Sequence, residues 1–507
     1  MSADAVPTAP AVPADDPALA TAAARFEATL GRESLLEFAL TPLDTVGVPV
    51  WSSWWSDGRS GTGGIGYGPS EQRARVGALG ECVEHVCAGR ALDGAPTEEG
   101  SLAELRRRHG REGVVDPRLL GLPAGVAFDD DTPLVWWPMT RLADGATVLA
   151  PAELVASAGS ELPATRPPGG WLTTPVSNGL GAGSSLEQAL AHAVLEIVQR
   201  DGNGLSFRAF DTGQVLDLDG VTDPVTRWAL DRLRAAGVQV LAKIASTDFG
   251  MANIDVVGAA PDDDVLSATA CGEAVHPDRE VALRKAVLEF ANARPRKQLM
   301  HGPLDAVRAI APAHYEGVIT AMDPAGEEQR VLDAMVGWLS LAREQWRPLV
   351  DASVLRTDAV VPFTGLPTTT ADGDAAAHLA DVTGRLTAQG YDVLYRDLSP
   401  AGDDAAGVHA VKVLVPGLEV ETVAYHRIGE RNVRRLLDDP RHDLVVVGDR
   451  GPDGWAPVHL TDEAVERLGG RAWLDVDGLD HLSAPLLPLY REPSRHTAQQ
   501  RLAERDR

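Results

Sequence analysis

Three segments of this chain carry the same double pattern, and it restricts the fold more than any other feature. In residues 69–89, Val76, Leu79, Val83 and Val86 recur at helical spacing. A helix capped by Ser184 or Ser185 and running to about Asp201 places Leu186, Leu190, Val194 and Ile197 on one side. Residues 279–300 do the same with Leu283, Val287 and Phe290. An apolar stripe at that period must be buried against another element. Beside each stripe stand two acidic or amide side chains three residues apart: Glu81 and Glu84, Glu196 and Gln199, Glu289 and Asn292. Residues so spaced share a helix face. One such pair is ordinarily a solvated face, by about ten to one. Three pairs, with glycine-rich loops leading into two of the helices, suggest a further role. Carboxylates converging from several helices suit Mg ions, which prefer oxygen ligands. Arg200, one turn beyond Glu196, and Arg294, near Asn292, suit phosphate oxygens. Such loops wrap phosphate at helix N-termini, although neither matches a P-loop or a Rossmann fingerprint. Paired carboxylates also serve glycosidases, and nothing here selects that chemistry.

The remaining chain mixes both kinds of element. Residues 24–38 read as a helix marked by Phe26, Leu30, Leu35 and Phe38. VGVPVWSSWW reads as a strand carrying Trp51, Trp54 and Trp55, and SDGRSGTGGIGYGPS after it as a flexible or tightly turning loop. The tryptophans suit a peptide groove, but core packing is favoured by about three to one. Residues 90–150 read as short helices and strands. Helices are expected at 225–236, 330–347 and 374–389, and strands at VQVLAKI, NIDVVGAA, YDVLYRDL and HAVKVLVPG. Interspersed elements of this kind make the class α/β, or mixed α+β. There is no internal repeat, and no sharp linker divides the chain after its tail.

Charge and cysteine content narrow the function. Asp and Glu total 73 against 46 Lys and Arg, for a net charge of -27. That field repels nucleic acid but still admits a nucleotide accompanied by Mg. Three cysteines, Cys82, Cys87 and Cys271, imply no disulfide framework, and they lack zinc-finger partners. Buried thiols in a reducing cytosol are favoured by about five to one. No signal peptide and no membrane-crossing run is present, so a cytoplasmic location is expected. Residues 1–22, rich in Ala and Pro, read as a disordered tail.

Several of these stretches are similar to one family. GYGPSEQRARVGALGECVEH, VSNGLGAGSSLEQALAHAVLEIVQRDG and CGEAVHPDREVALRKAVLEFANAR resemble, in order, the three signatures of the YcaO family. VGVPVW ahead of them and VKVLVPGLE after them fit the same order, so the resemblance runs from about residue 40 to about residue 435. It implies a YcaO-type domain at 23–435, an ATP-binding fold without a P-loop, and a C-terminal extension at 436–507. It further implies ATP and Mg2+ as cofactors. Glu81, Glu84, Glu196 and Gln199 would be metal ligands. Arg75, Ser184, Gln188, Arg200, Glu289, Asn292 and Arg294 would meet the nucleotide. Four positions depart from the family pattern: Gln199 and Gln188 replace glutamates, His85 replaces an Arg, and Tyr67 replaces a Lys between two glycines.

The implied reaction activates a backbone amide of a ribosomally made peptide. A nucleophile adds to the carbonyl, the oxyanion takes the γ-phosphate, and phosphate leaves with the amide oxygen. A Cys, Ser or Thr side chain yields an azoline, sulfide a thioamide, and an amine an amidine; cyclodehydration to azoline is the first expectation. Many azoline-forming members end in PxPxP, which Pro485, Pro488 and Pro493 do not reproduce. The expected partners are a precursor peptide and either an E1-like (ThiF-like) leader-binding protein or a TfuA-type protein. A homodimer is allowed, and a non-catalytic binding subunit is the competing class. His276, His301 and His426 are available as bases, though a histidine in such a chain is structural by about four to one.

Overall fold

The computed structural model describes residues 16–205, 210–370, 373–401, 407–420 and 426–505. In chain order the first elements are helix α1 (Pro17–Leu30), strands β1 (Leu35–Ala39), β2 (Val50–Ser56) and β3 (Gly61–Tyr67), and helix α2 (Glu71–Leu92). Strands β4 (Glu98–Ser101), β5 (Pro133–Arg141), β6 (Thr147–Pro151) and β7 (Leu180–Gly183) precede helix α3 (Leu186–Leu205). Next come β8 (Gln214–Asp217), α4 (Pro224–Ala235), β9 (Gln239–Ser246), β10 (Ala252–Ala259), β11 (Cys271–His276) and α5 (Arg279–His301). Helices α6 (Gln329–Leu339) and α7 (Arg343–Ala352) lead to β12 (Ala359–Pro362), α8 (Ala375–Thr387), β13 (Leu394–Asp397) and β14 (His409–Leu414). The class is mixed α/β, as expected.

The chain divides into two compact units, which the sequence did not suggest. The first comprises Met1–Val83, Ala209–Thr370 and Pro485–Arg507; the second comprises Glu84–Arg208 and Ala371–Ala484. One boundary falls inside the continuous helix α2, where no linker exists to be read. The expected extension at 436–507 is likewise shared out. Its last segment belongs to the first unit.

In the first unit, β1-β2-β3 form an antiparallel sheet, and a five-stranded sheet runs β11-β10-β9-β8-β12 with β12 parallel to β8. Helices α4 and α5 bury their stripes against the larger sheet. Trp228, Leu233, Leu283, Val287 and Phe290 share one core with Leu216, Ile254 and Val256. Each fully buried side chain of this size contributes about 1.5–3 kcal/mol. In the second unit, β4-β5-β13-β14-β7 form a sheet with β6 beside β5. Helix α3 packs on β7 and β14, and α8 packs on α3.

Four expectations are corrected. The helix placed at 24–38 lies at 17–30, so part of the predicted tail is ordered; residues 1–15 lie outside the described residues. Asp16 caps it, its carboxylate accepting from Ala18 N at 2.9 Å with Pro17 in the first turn, and Gly31 (φ 82°) ends it. Leu35 and Phe38 then fall in β1. The stretch read as a glycine-rich loop forms a hairpin with β2, with Gly66 opposite Trp51 and Gly64 opposite Ser53. The helix at 330–347 is broken in two: it ends at Leu339, where the Ser340 hydroxyl donates to Val336 O at 2.7 Å, and a second begins at Arg343.

Candidate active site

The glycines of β3 let a strand approach a helix. A Cβ on Gly66 would sit 2.0 Å from Ala74 O, and one on Gly64 2.1 Å from Ala78 O, both on α2. The device recurs at β7, where Gly181 would meet Ala189 O at 2.5 Å, and at β11, where Gly272 would meet Phe290 N at 2.0 Å. Each strand immediately precedes the helix it touches. Close approach brings strand N–H groups within reach of helix carboxylates.

The acidic residues use that reach. In the first unit, Glu81 accepts from Ile65 N at 2.6 Å and Glu289 from Glu273 N at 3.2 Å. In the second, Glu84 accepts from Ala182 N at 2.9 Å and Glu196 from Gly179 N at 3.2 Å. Four helix carboxylates are thus each fixed through one oxygen by a backbone amide. A carboxylate held this way has a defined direction.

Neighbouring groups refine the two sets. The Tyr67 hydroxyl donates to Glu289 and lies near Glu81. Burial, with both carboxylates beside it, keeps that phenol protonated well above its ordinary range. In the second unit, Arg200 Nε donates to Glu196 at 3.3 Å, and His192 stands 3.9 Å from Glu84. Burial lowers the pKa of His85, against the opposing pull of Glu161 and Glu196. Gln188 accepts from Ser184 N at 3.1 Å while its own N–H donates to Ser185 Oγ at 3.3 Å, a reciprocal cap on α3. Ser185 is therefore the capping hydroxyl, and Ser184 is exposed. Gln199 is half-buried.

Two arginines expected at the nucleotide are engaged elsewhere. Arg294, 2% exposed, donates to Asp44 at 3.0 and 3.1 Å and to Asp263 at 2.8 and 2.9 Å. A guanidinium forked between two carboxylates is a buried structural link, not an open phosphate site. Arg75 is paired with Glu27 and Glu37 on α1 and β1. Both corrections have one cause: acidic partners distant in sequence, which spacing along a helix cannot show. His301 is fully buried and faces Glu492 at 3.3 Å, and His276 accepts from Asp278 N at 2.9 Å.

The remaining residues fit Mg-ATP. Their donors are oxygens, as Mg requires. Asn292 is 5% exposed and its Oδ1 has no hydrogen-bond partner among the described residues, one turn from Glu289. Among the described residues, no group of three or more His, Cys, Asp or Glu is arranged to hold a metal alone. Cys82 and Cys87 are buried free thiols, pushed up by burial to about 12 and about 11. Trp55 is core, donating to Leu30 O at 2.8 Å. Sequence reasoning missed the strand amides of Ile65, Ala182 and Glu273 and the turn amide of Gly179; glycines alternating at 64 and 66 and at 181 and 183 were their signal.

A family model described as YcaO cyclodehydratase, ATP- and Mg2+-binding, matches residues 65–419. The chain is 30% identical over 402 residues to an uncharacterised protein of Methanothermobacter thermautotrophicus, covering 77% of this chain and 91% of that protein. It is 25% identical over 408 residues to an uncharacterised protein in the tfuA 3' region of Rhizobium leguminosarum bv. trifolii, covering 78% and 86%. Its fold is similar to that of YcaO from Methanopyrus kandleri bound with AMPPCP and Mg2+ (TM-score 0.54, 21% identity, 81% of this chain and 93% of that one). It also resembles a heterocyclase in complex with substrate and cofactor (TM-score 0.60, 17% identity, 82% of this chain), of which it spans 54%. Among the described residues, no helix is long and apolar enough to cross a membrane.

Proposed function

The chain belongs to the YcaO family of ATP- and Mg2+-binding enzymes, and from that premise we propose that it activates a backbone amide of a ribosomally synthesised peptide. The observation that carries this reading is the set of four helix carboxylates, Glu81, Glu84, Glu196 and Glu289, each directed by a backbone amide. Glu81, Glu84 and Glu196 would hold Mg, with Gln199 offering an uncharged oxygen. Ser184, Gln188, Arg200, Glu289 and Asn292 would meet the nucleotide; Arg75 and Arg294 are left out of this assignment. Bound Mg-ATP supplies the phosphoryl group that accepts the amide oxygen. The protein's part is positioning and charge stabilisation: Arg200 and Gly179 N orient Glu196, and Tyr67 orients Glu289.

Cyclodehydration of Cys, Ser or Thr to azoline is the product we favour, during maturation of a peptide natural product. Exchange of the amide oxygen for sulfur is the second reading. One observation favours it: the similarity to a protein of a tfuA region. The proposed partners are a precursor peptide and an E1-like or TfuA-type protein, with the enzyme in the cytoplasm.

The test is the mass of a peptide encoded beside this gene after incubation with the protein, its neighbouring partner proteins, ATP and Mg2+, with and without sulfide. Loss of one water marks azoline or amidine formation, and oxygen-to-sulfur exchange marks a thioamide. Glu196→Ala should abolish peptide-dependent ATP turnover without loss of fold. An unchanged peptide in every combination would overturn the proposal.

A further inference from the structure

The second unit contains a cavity that the proposed chemistry does not use. Leu154, Ile197 and Leu414 give it largely apolar walls, and Lys412, Arg427 and Glu419 bring charge to them. The cavity itself is small, about 20 Å³.

The charges are unequal in their compensation. Lys412 is 0% exposed. Its Nζ donates to Val176 O at 2.6 Å and to Ser157 Oγ at 3.5 Å, both neutral oxygens. No described carboxylate pairs with it within 4.0 Å. Arg427, 1% exposed, is already engaged: it donates to the carbonyls of Gly121 at 2.8 Å, Leu120 at 3.1 Å and Thr174 at 3.5 Å, and the Glu153 carboxylate feels its charge. Glu419 directs its two oxygens to the backbone N–H groups of Gly429 and Asn432, each at 2.8 Å. Burial pulls the Lys412 amine down to about 8, although Glu196 and Glu161 favour its charge. A buried cation among neutral oxygens is costly, and an apolar side chain of the same length would be tolerated better unless something anionic enters.

We propose that this cavity binds a small, singly charged anion at Lys412. Formate and hydrosulfide ions have the required charge and are the smallest of their kind, and the apolar walls disfavour a strongly hydrated dianion. Such a site lies against Ile197, the residue after Glu196, so occupancy would stiffen α3 beside a proposed Mg ligand. The proposal does not rest on the ATP reading.

The test is thermal unfolding of the full chain titrated with sodium formate, acetate or hydrosulfide at constant ionic strength. A saturating rise of about 3 °C is expected for at least one of them. Lys412→Met should lose that rise while its melting temperature without anion is unchanged or higher. Where Lys412→Met does not fold, Lys412→Arg should retain the rise with altered half-saturation. No saturating rise in the wild type, or the same rise in Lys412→Met, would overturn the proposal. Competition of the rise by Mg-ATP would also overturn it, because Lys412 would then belong to the nucleotide site.

Discussion

Glu492 accepts two hydrogen bonds from the Arg296 guanidinium, at 2.9 and 3.2 Å, and so fastens the C-terminal segment to α5. Lys297 at 3.4 Å and the fully buried His301 at 3.3 Å face the same carboxylate. Three residues on, Arg495 lies 4.4 Å over the Trp54 ring and donates to the Tyr315 hydroxyl at 3.1 Å. Removing Glu492 leaves basic groups buried without their anion. Glu492→Ala is therefore expected to cost about 3 kcal/mol in chemical denaturation. Burial alone would raise the Glu492 carboxyl, but Arg296, Lys297 and His301 hold it well below the usual range. Its folded pKa is depressed, so its contribution is complete above about pH 5 and is lost as pH falls through the folded value. The difference between wild type and Glu492→Ala should narrow only in strong acid.

Gly66 tests the strand–helix device. A methyl there meets backbone on α2 at 2.0 and 2.2 Å, and backbone cannot step aside as a flexible side chain can. Gly66→Ala should destabilise by at least about 2 kcal/mol. Gly89, on the same helix with nothing within 4 Å of its Cβ position, should gain about 0.5–1 kcal/mol on Gly89→Ala. Urea midpoints of the two variants, moving in opposite directions, would establish that contact and not helix propensity sets the Gly66 requirement.

These glycines also show what the sequence reveals. Apolar spacing located α2, α3 and α5 closely, since a stripe such as Leu283, Val287 and Phe290 follows from burial alone. It placed Glu81, Glu84, Glu196 and Glu289 on those helices for the same reason. It misread β3, because glycine weakens a strand's own signal and its reason for being there is a helix arriving later in the chain. It misassigned Arg294, whose partners Asp44 and Asp263 are brought to it only by tertiary folding. The Asp16-Pro17 start of α1 was readable as a cap and was overlooked.

The anchored carboxylates predict a Mg2+ dependence. Glu84→Gln keeps an oxygen for the Ala182 amide but removes the charge that would face the ion. The Mg2+ concentration for half-maximal peptide-dependent ATP turnover should rise about tenfold, and kcat should fall by about 100-fold. Glu187→Gln, in the first turn of α3, alters charge nearby without touching the proposed ligands. Its Mg2+ dependence should match the wild type.

Tyr67 offers the sharpest test of the site in the first unit. Its hydroxyl donates to Glu289, which also accepts from Glu273 N at 3.2 Å, so two donors fix one carboxylate. Tyr67→Phe removes one donor and keeps the ring's packing. Losing a hydrogen bond to a charged group costs about 1.5–3 kcal/mol. If Glu289 meets the nucleotide, kcat/KM for ATP should fall by about 10- to 100-fold, and the KM for the peptide should not move. Tyr67→Lys restores the residue common in the family and puts an ammonium beside Glu289 and Glu81. It should lower the KM for ATP relative to Tyr67→Phe. Unchanged ATP kinetics in Tyr67→Phe would mean that the phenol serves only packing and that Glu289 is oriented by the strand amide alone.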